Sequence, residues 1–233
     1  RIGEEVCVRM NQAGYSYCPG GIMAANPKWC LSLSEWKQHF KTWIQQATPQ
    51  AILEMNVFLD IRCAFGNEEL VHELKQYIQT LTAAHPEFLI HYATNCLHYK
   101  APLTLFGNLK TQRQEGKNTI NIKESLKPIE TFARIYALKH HLPEIGTLDR
   151  IQRLQDLNIL QRQTGLELHY VFNYLWNLRF YTPLLTPETL PSLTDLIDIE
   201  TLTDIERQNL QNVLTKINLF QTKLSYDFLG TAG

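Results

Sequence analysis

Ala51-Ile52-Leu53-Glu54-Met55-Asn56-Val57-Phe58-Leu59-Asp60-Ile61-Arg62 is the stretch on which the fold reading turns. Leu53, Met55, Val57, Leu59 and Ile61 alternate with Glu54, Asn56, Phe58, Asp60 and Arg62. A period of two puts the first set on one side of an extended chain and the second on the other, which predicts a strand over 52–62 with one oily and one polar face. Two carboxylates and a guanidinium on one strand face need water, ion pairing or a ligand. One reading is a solvated edge strand in which Asp60 pairs with Arg62 or Arg62 with Glu54. The other is a carboxylate that supports a metal beside an arginine that neutralises phosphate, since Mg²⁺ takes hard oxygen ligands and shares them with phosphates.

Before this stretch, Ile2, Val6 and Met10 recur every four residues and Gly14 follows, so 1–13 reads as a helix, already under way at Arg1. That start, without a methionine, leads us to expect an upstream segment. Residues 17–29 are rich in Pro and Gly and predict a shaped loop with room for one short strand. Ser32 with Glu35 forms a capping box ahead of a helix whose apolar face is Trp36, Phe40, Trp43 and Ile44.

Past the stretch the chain reads as mainly helical. Asn67 caps a helix that uses Leu70, Leu74, Ile78 and Leu81, and Pro86 opens the next. Leu103 to Leu109 and Thr119 to Lys123 are β-tending around a polar turn at 112–118, which predicts a hairpin. Pro128 is expected to open a helix through Phe132, Ile135 and Leu138, and three more are expected at 147–157, 164–181 and 203–228, with Gly, Pro and Thr between them. The fold class expected is mainly α with a small β component.

Composition narrows function mostly by exclusion. Lys and Arg number 22 against 23 Asp and Glu, so no charge excess draws the chain to nucleic acid or anionic lipid. No apolar run reaches the roughly 20 residues of a membrane span, and a cytoplasmic location is expected. The five cysteines form no Cys-x-x-Cys pair and the eight histidines no His-x-x-x-His pair. Lys123, at the end of a β-tending run and before a helix, is placed to reach a phosphate drawn to exposed amides, although a solvated lysine is the commoner outcome.

Cys18-Pro19-Gly20-Gly21-Ile22-Met23-Ala24-Ala25-Asn26-Pro27-Lys28-Trp29, then Leu53-Glu54 and Phe58-Leu59-Asp60-Ile61-Arg62 with Gly66 four residues on, resemble the bacterial signal-transduction nucleotidyltransferases found downstream of cyclic-nucleotide-binding and CBS domains. Ile122-Lys123, Pro128-Ile129 and Ala133-Arg134 resemble the opening of that family's C-terminal helical domain. A more distant similarity extends to PII uridylyltransferase and glutamine synthetase adenylyltransferase, through Thr147, Arg150, Leu154, Leu160 and the Leu175 to Arg179 helix.

The resemblance implies the C-terminal part of a polymerase-β-like nucleotidyltransferase α/β domain over residues 1–66, then a helical bundle with an inserted hairpin over 67–233. It implies Mg²⁺-dependent transfer of a nucleotidyl group from a nucleoside triphosphate to a protein or small-molecule acceptor. Such enzymes use Gly-Ser and Asp-x-Asp elements, and neither occurs in this sequence. Asp60 then matches a third metal carboxylate, with Glu54 as the runner-up catalytic group, and Arg62 and Lys123 are the candidate phosphate-binding residues. The chain alone is expected to transfer no nucleotide. The competing expectation is a non-catalytic nucleotide-binding or signal-relay module.

Overall fold

The computed structural model describes residues 2–181 and 195–231. Nine α-helices and a three-stranded antiparallel sheet make up the described chain: α1 (Ile2–Gln12), α2 (Leu33–Gln46), α3 (Pro49–Phe58), α4 (Glu68–Ala84), α5 (Pro86–Cys96), β1 (Gln112–Gln114), β2 (Lys117–Asn121), α6 (Ile122–Lys139), α7 (Thr147–Asp156), α8 (Arg162–Tyr181), β3 (Leu196–Asp198) and α9 (Asp204–Leu229). The mainly helical fold class with a small β component is therefore what forms. Part of the Pro- and Thr-punctuated stretch between the last two helices, residues 182–194, lies outside the described residues, as does Arg1.

The strand expected over 52–62 is instead helix α3 followed by a turn. Thr48 caps it, its hydroxyl accepting from the Ala51 amide at 3.2 Å, and Pro49 fills the first turn, where no amide partner is needed. Ala51, Ile52, Met55 and Leu59 are buried, the last three at i, i+3 and i+7, while Leu53 and Val57 are about half exposed (53% and 49%). Both periods coexist in the sequence, and the cap together with the proline selects the helical one.

α6 runs through the middle of the core and buries Ile122, Leu126, Ile129, Phe132, Ile135 and Tyr136 against α5, α7, α8 and α9. It starts six residues before the expected position: Asn121 accepts from the Glu124 amide at 3.0 Å, and Pro128 lies inside the helix rather than at its start. A hairpin forms, but not where expected: β1 lies within the stretch read as its turn and pairs with β2 across Glu115 and Gly116, both at positive φ (51° and 82°) as a tight two-residue turn requires, while 103–109 forms no strand and is held by an isolated bridge between Leu103 and Leu109. β3 adds to β2 through the pairs Thr119 with Asp198 and Asn121 with Leu196, a pairing the sequence did not suggest.

α2 packs against α3 and α4, with its capping box formed by Ser32 and Glu35 as expected. Trp29, Trp36, Trp43 and Phe58 stack with ring centroids 4.7 to 6.5 Å apart, fastening the 17–29 loop to α2 and α3. That loop holds a single 3₁₀ turn at Pro27–Trp29 in place of the short strand allowed for it. α1 buries none of its residues, and Ile2, Val6 and Met10 are 84%, 49% and 46% exposed. Among the described residues, no helix is long and apolar enough to cross a membrane.

Candidate functional site: a paired-arginine centre beside a small cavity

Asp60 follows the end of α3, and the turn there directs its carboxylate to two arginines of the helical region. Arg134 Nη2 of α6 donates to Asp60 Oδ2 at 2.6 Å, and Arg150 Nη2 of α7 donates to Asp60 Oδ1. The side chains of Arg150, Arg134 and Asp60 are 5%, 15% and 29% exposed, so the three charges sit largely away from water. Burial alone would raise the Asp60 carboxyl, but hydrogen bonds and charge from Arg134 and Arg150 outweigh it and hold the group below the ordinary aspartate range.

Further bonds fix the two guanidinium groups. Arg150 Nε donates to the Glu144 carbonyl at 2.8 Å, and Arg134 Nη1 reaches Asn56 Oδ1 at 3.5 Å. Asn56 Oδ1 also accepts from the Tyr92 hydroxyl, whose pKa burial pushes up to about 12, so the phenol stays a neutral donor. Residues of α3, α5, α6 and α7 thus join one hydrogen-bonded network around the Asp60 carboxylate, and the arrangement ties residues before 66 to those after it.

The arginines also line a cavity of about 120 Å³ between α4, α6 and α7. On α4, His72, Lys75, Gln76 and Gln79 recur at helical spacing and present a polar wall, while Ala137 and Leu138 of α6 supply an apolar one. The 141–145 loop closes a further side and brings Glu144 to the wall. Burial first, and then the Arg150 charge, keep the Lys75 ammonium below the usual lysine range.

The other candidate residues from the sequence lie apart. Glu54 sits on α3, accepting from Trp43 Nε1 at 3.3 Å and from Gln50 Nε2 at 3.1 Å. Arg62 is exposed and makes no ion pair among the described residues. Lys123 lies in the first turn of α6 rather than at a strand end, 3.5 Å from Asp195, which also pairs with Arg179 at 2.7 Å. Asp60, Glu54 and Lys123 thus keep different partners, and none of the three pairs with Arg62.

Sequence reasoning missed the partners of Asp60. Arg134 and Arg150 were visible as parts of the resemblance, and Arg150 in the first turn of a strongly amphipathic helix is an unusual cation to find buried. As for Mg²⁺, both Asp60 oxygens are taken by guanidinium donors, and no group of three or more His, Cys, Asp and Glu side chains is arranged for a metal among the described residues. The described residues do not make a Mg²⁺ site around Asp60 by themselves.

Residues 86–228, more than half of the chain, match the family model described as "Putative nucleotidyltransferase substrate binding domain". The chain belongs to this family. Residues 1–50 match a second model, "Putative nucleotidyltransferase DUF294". The substrate-binding match contains Arg134, Arg150 and the cavity's α6 and α7 walls, whereas Asp60 and α4 fall between the two matched segments. No curated protein and no solved structure matches the chain significantly.

Proposed function

We propose that this chain is the substrate-holding portion of a signal-transduction nucleotidyltransferase, positioning an acceptor for Mg²⁺-dependent nucleotidyl transfer while the triphosphate and metal are held by elements outside this sequence. The observation that carries the proposal is the clamp of Asp60 by Arg134 and Arg150, two arginines that lie within the substrate-binding family match. A carboxylate that accepts one hydrogen bond from each of two buried guanidinium groups organises positive donors beside a pocket. It would have to give up at least one of them to ligate a cation.

Division of the chain into the end of a catalytic domain over 1–66 and a helical domain over 67–233 belongs to the same proposal, as do a cytoplasmic setting and upstream cyclic-nucleotide-binding and CBS domains. In-line transfer needs metals that stabilise the attacking and leaving oxygens, and the Gly-Ser and Asp-x-Asp elements that would hold them are not in this sequence. A nucleoside triphosphate with Mg²⁺ should therefore bind this chain weakly.

Equilibrium dialysis with each nucleoside triphosphate, with and without Mg²⁺, tests this reading. We expect dissociation constants in the millimolar range or weaker, about −4 kcal/mol or less in magnitude, with little dependence on Mg²⁺. Micromolar, Mg²⁺-dependent binding would instead support a self-contained nucleotide-binding relay module.

A further inference from the structure

Three residues that line the cavity between α4, α6 and α7 each carry a buried side-chain atom that lacks a hydrogen-bond partner. Among the described residues, the buried side-chain nitrogens and oxygens with no partner are Arg134 Nε, Arg150 Nη1, Glu144 Oε2 and His169 Nε2. The first three belong to residues lining this one cavity. A buried polar group left unpaired costs about 1 to 3 kcal/mol, and more when charged, so three together at a space large enough for a small molecule call for a common partner.

The unpaired set has a definite chemistry. Two guanidinium N–H donors need an acceptor, for which a planar or tetrahedral oxyanion is the matching partner. One carboxylate oxygen needs a donor. Lys75 on the facing wall adds positive charge, and the two arginines already share the single charge of Asp60.

We propose that this cavity binds a small molecule that presents an oxyanion, carboxylate or phosphate, to Arg134 and Arg150 and a hydrogen-bond donor to Glu144. The inference rests on the substrate-holding reading and deepens it by naming the chemistry of the group held. At about 120 Å³ the space is smaller than the roughly 150 Å³ engineered cavity that accepts benzene. It therefore encloses a head group of a few heavy atoms, with any larger remainder of the ligand left outside its open side.

NMR-detected titration of the full chain with acetate, glycine and orthophosphate tests the proposal. Acetate offers an oxyanion alone, glycine an oxyanion with an adjacent ammonium, and orthophosphate an oxyanion that can carry its own O–H. Saturable shifts should appear at amides of 134–150 and of α4. Glycine should bind about tenfold more tightly than acetate, the effect of one charge-assisted hydrogen bond. Whether glycine or orthophosphate binds more tightly decides between an amino-acid-type and a phosphate-headed ligand.

Glu144→Gln should bring the glycine-to-acetate ratio close to one while leaving acetate binding equal or tighter. Substituting Arg150 risks unfolding the clamp, so Lys75→Met is the second variant, and it should weaken every oxyanion several-fold. No saturable shift up to about 50 mM, shifts confined to other parts of the chain, or an unchanged ratio in Glu144→Gln would overturn the proposal. Failure of all three probes removes the cavity site but leaves the weak-triphosphate reading intact. Probe binding together with tight Mg²⁺-triphosphate binding keeps the cavity site and removes that reading.

Discussion

Replacing Asp60 with asparagine removes one negative charge and leaves two guanidinium groups facing an amide. Arg150 and Arg134 keep side-chain exposures of only 5% and 15%, so water cannot readily take over from the lost carboxylate. Breaking a buried ion pair by removing one partner costs about 3 to 5 kcal/mol. Asp60 is itself 29% exposed and the asparagine oxygen can still accept from one arginine, which places the expected loss near the lower end, about 3 kcal/mol. For a chain of this size that corresponds to a fall in Tm of roughly 6 to 12 °C, measurable by circular dichroism.

The pH dependence carries a sign. The folded carboxyl titrates below its unfolded value, so its contribution is fully present above about pH 4 and fades as pH falls through the lower folded pKa. The gap in stability between wild type and Asp60→Asn should therefore be flat from pH 7 to about 5 and narrow under stronger acid. In an Asp60→Asn background, Arg134→Met should cost much less than it does in the wild type, because the cation it removes is already unpaired. A Tm change under about 2 °C, or additive losses in the double variant, would refute the account of a buried, shared carboxylate.

Three further outcomes follow from the packing. Leu53→Lys should change stability by less than about 0.5 kcal/mol and Met55→Ala should cost about 2 to 5 kcal/mol, whereas a strand over 52–62 would make both residues inward-facing; urea denaturation separates the cases. Tyr136→Phe removes the hydroxyl that donates to Asp227 but leaves the Lys223 contact at 2.8 Å, so a loss of about 1 to 2 kcal/mol is expected in the same assay. Ser32→Ala breaks the α2 capping box and should cost about 1 kcal/mol, with hydrogen exchange rising first in the opening turn of α2.

Much of the helical framework was legible because capping residues and apolar spacing agreed. Ser32 with Glu35, Asn67 and Pro86 each mark a start that the structure keeps. The 52–62 stretch misled because its apolar residues satisfy a period of two and a helical period at once, and Thr48-Pro49 was the deciding local signal. Asn121 gave a similar signal for α6, masked by the stronger expectation that Pro128 begins a helix. Asp60 stood out as a candidate metal carboxylate, but its arginine partners come from 74 and 90 residues away, a separation that no local pattern encodes.

The most direct measurement of the central claim is nucleotidyl transfer by the purified chain itself, followed as pyrophosphate release from each nucleoside triphosphate with Mg²⁺. A chain that holds substrate but lacks the Gly-Ser and Asp-x-Asp elements should release none above the protein-free background. Sustained turnover that disappears in Asp60→Asn, under conditions where that variant remains folded, would contradict the account and make Asp60 a metal ligand after all.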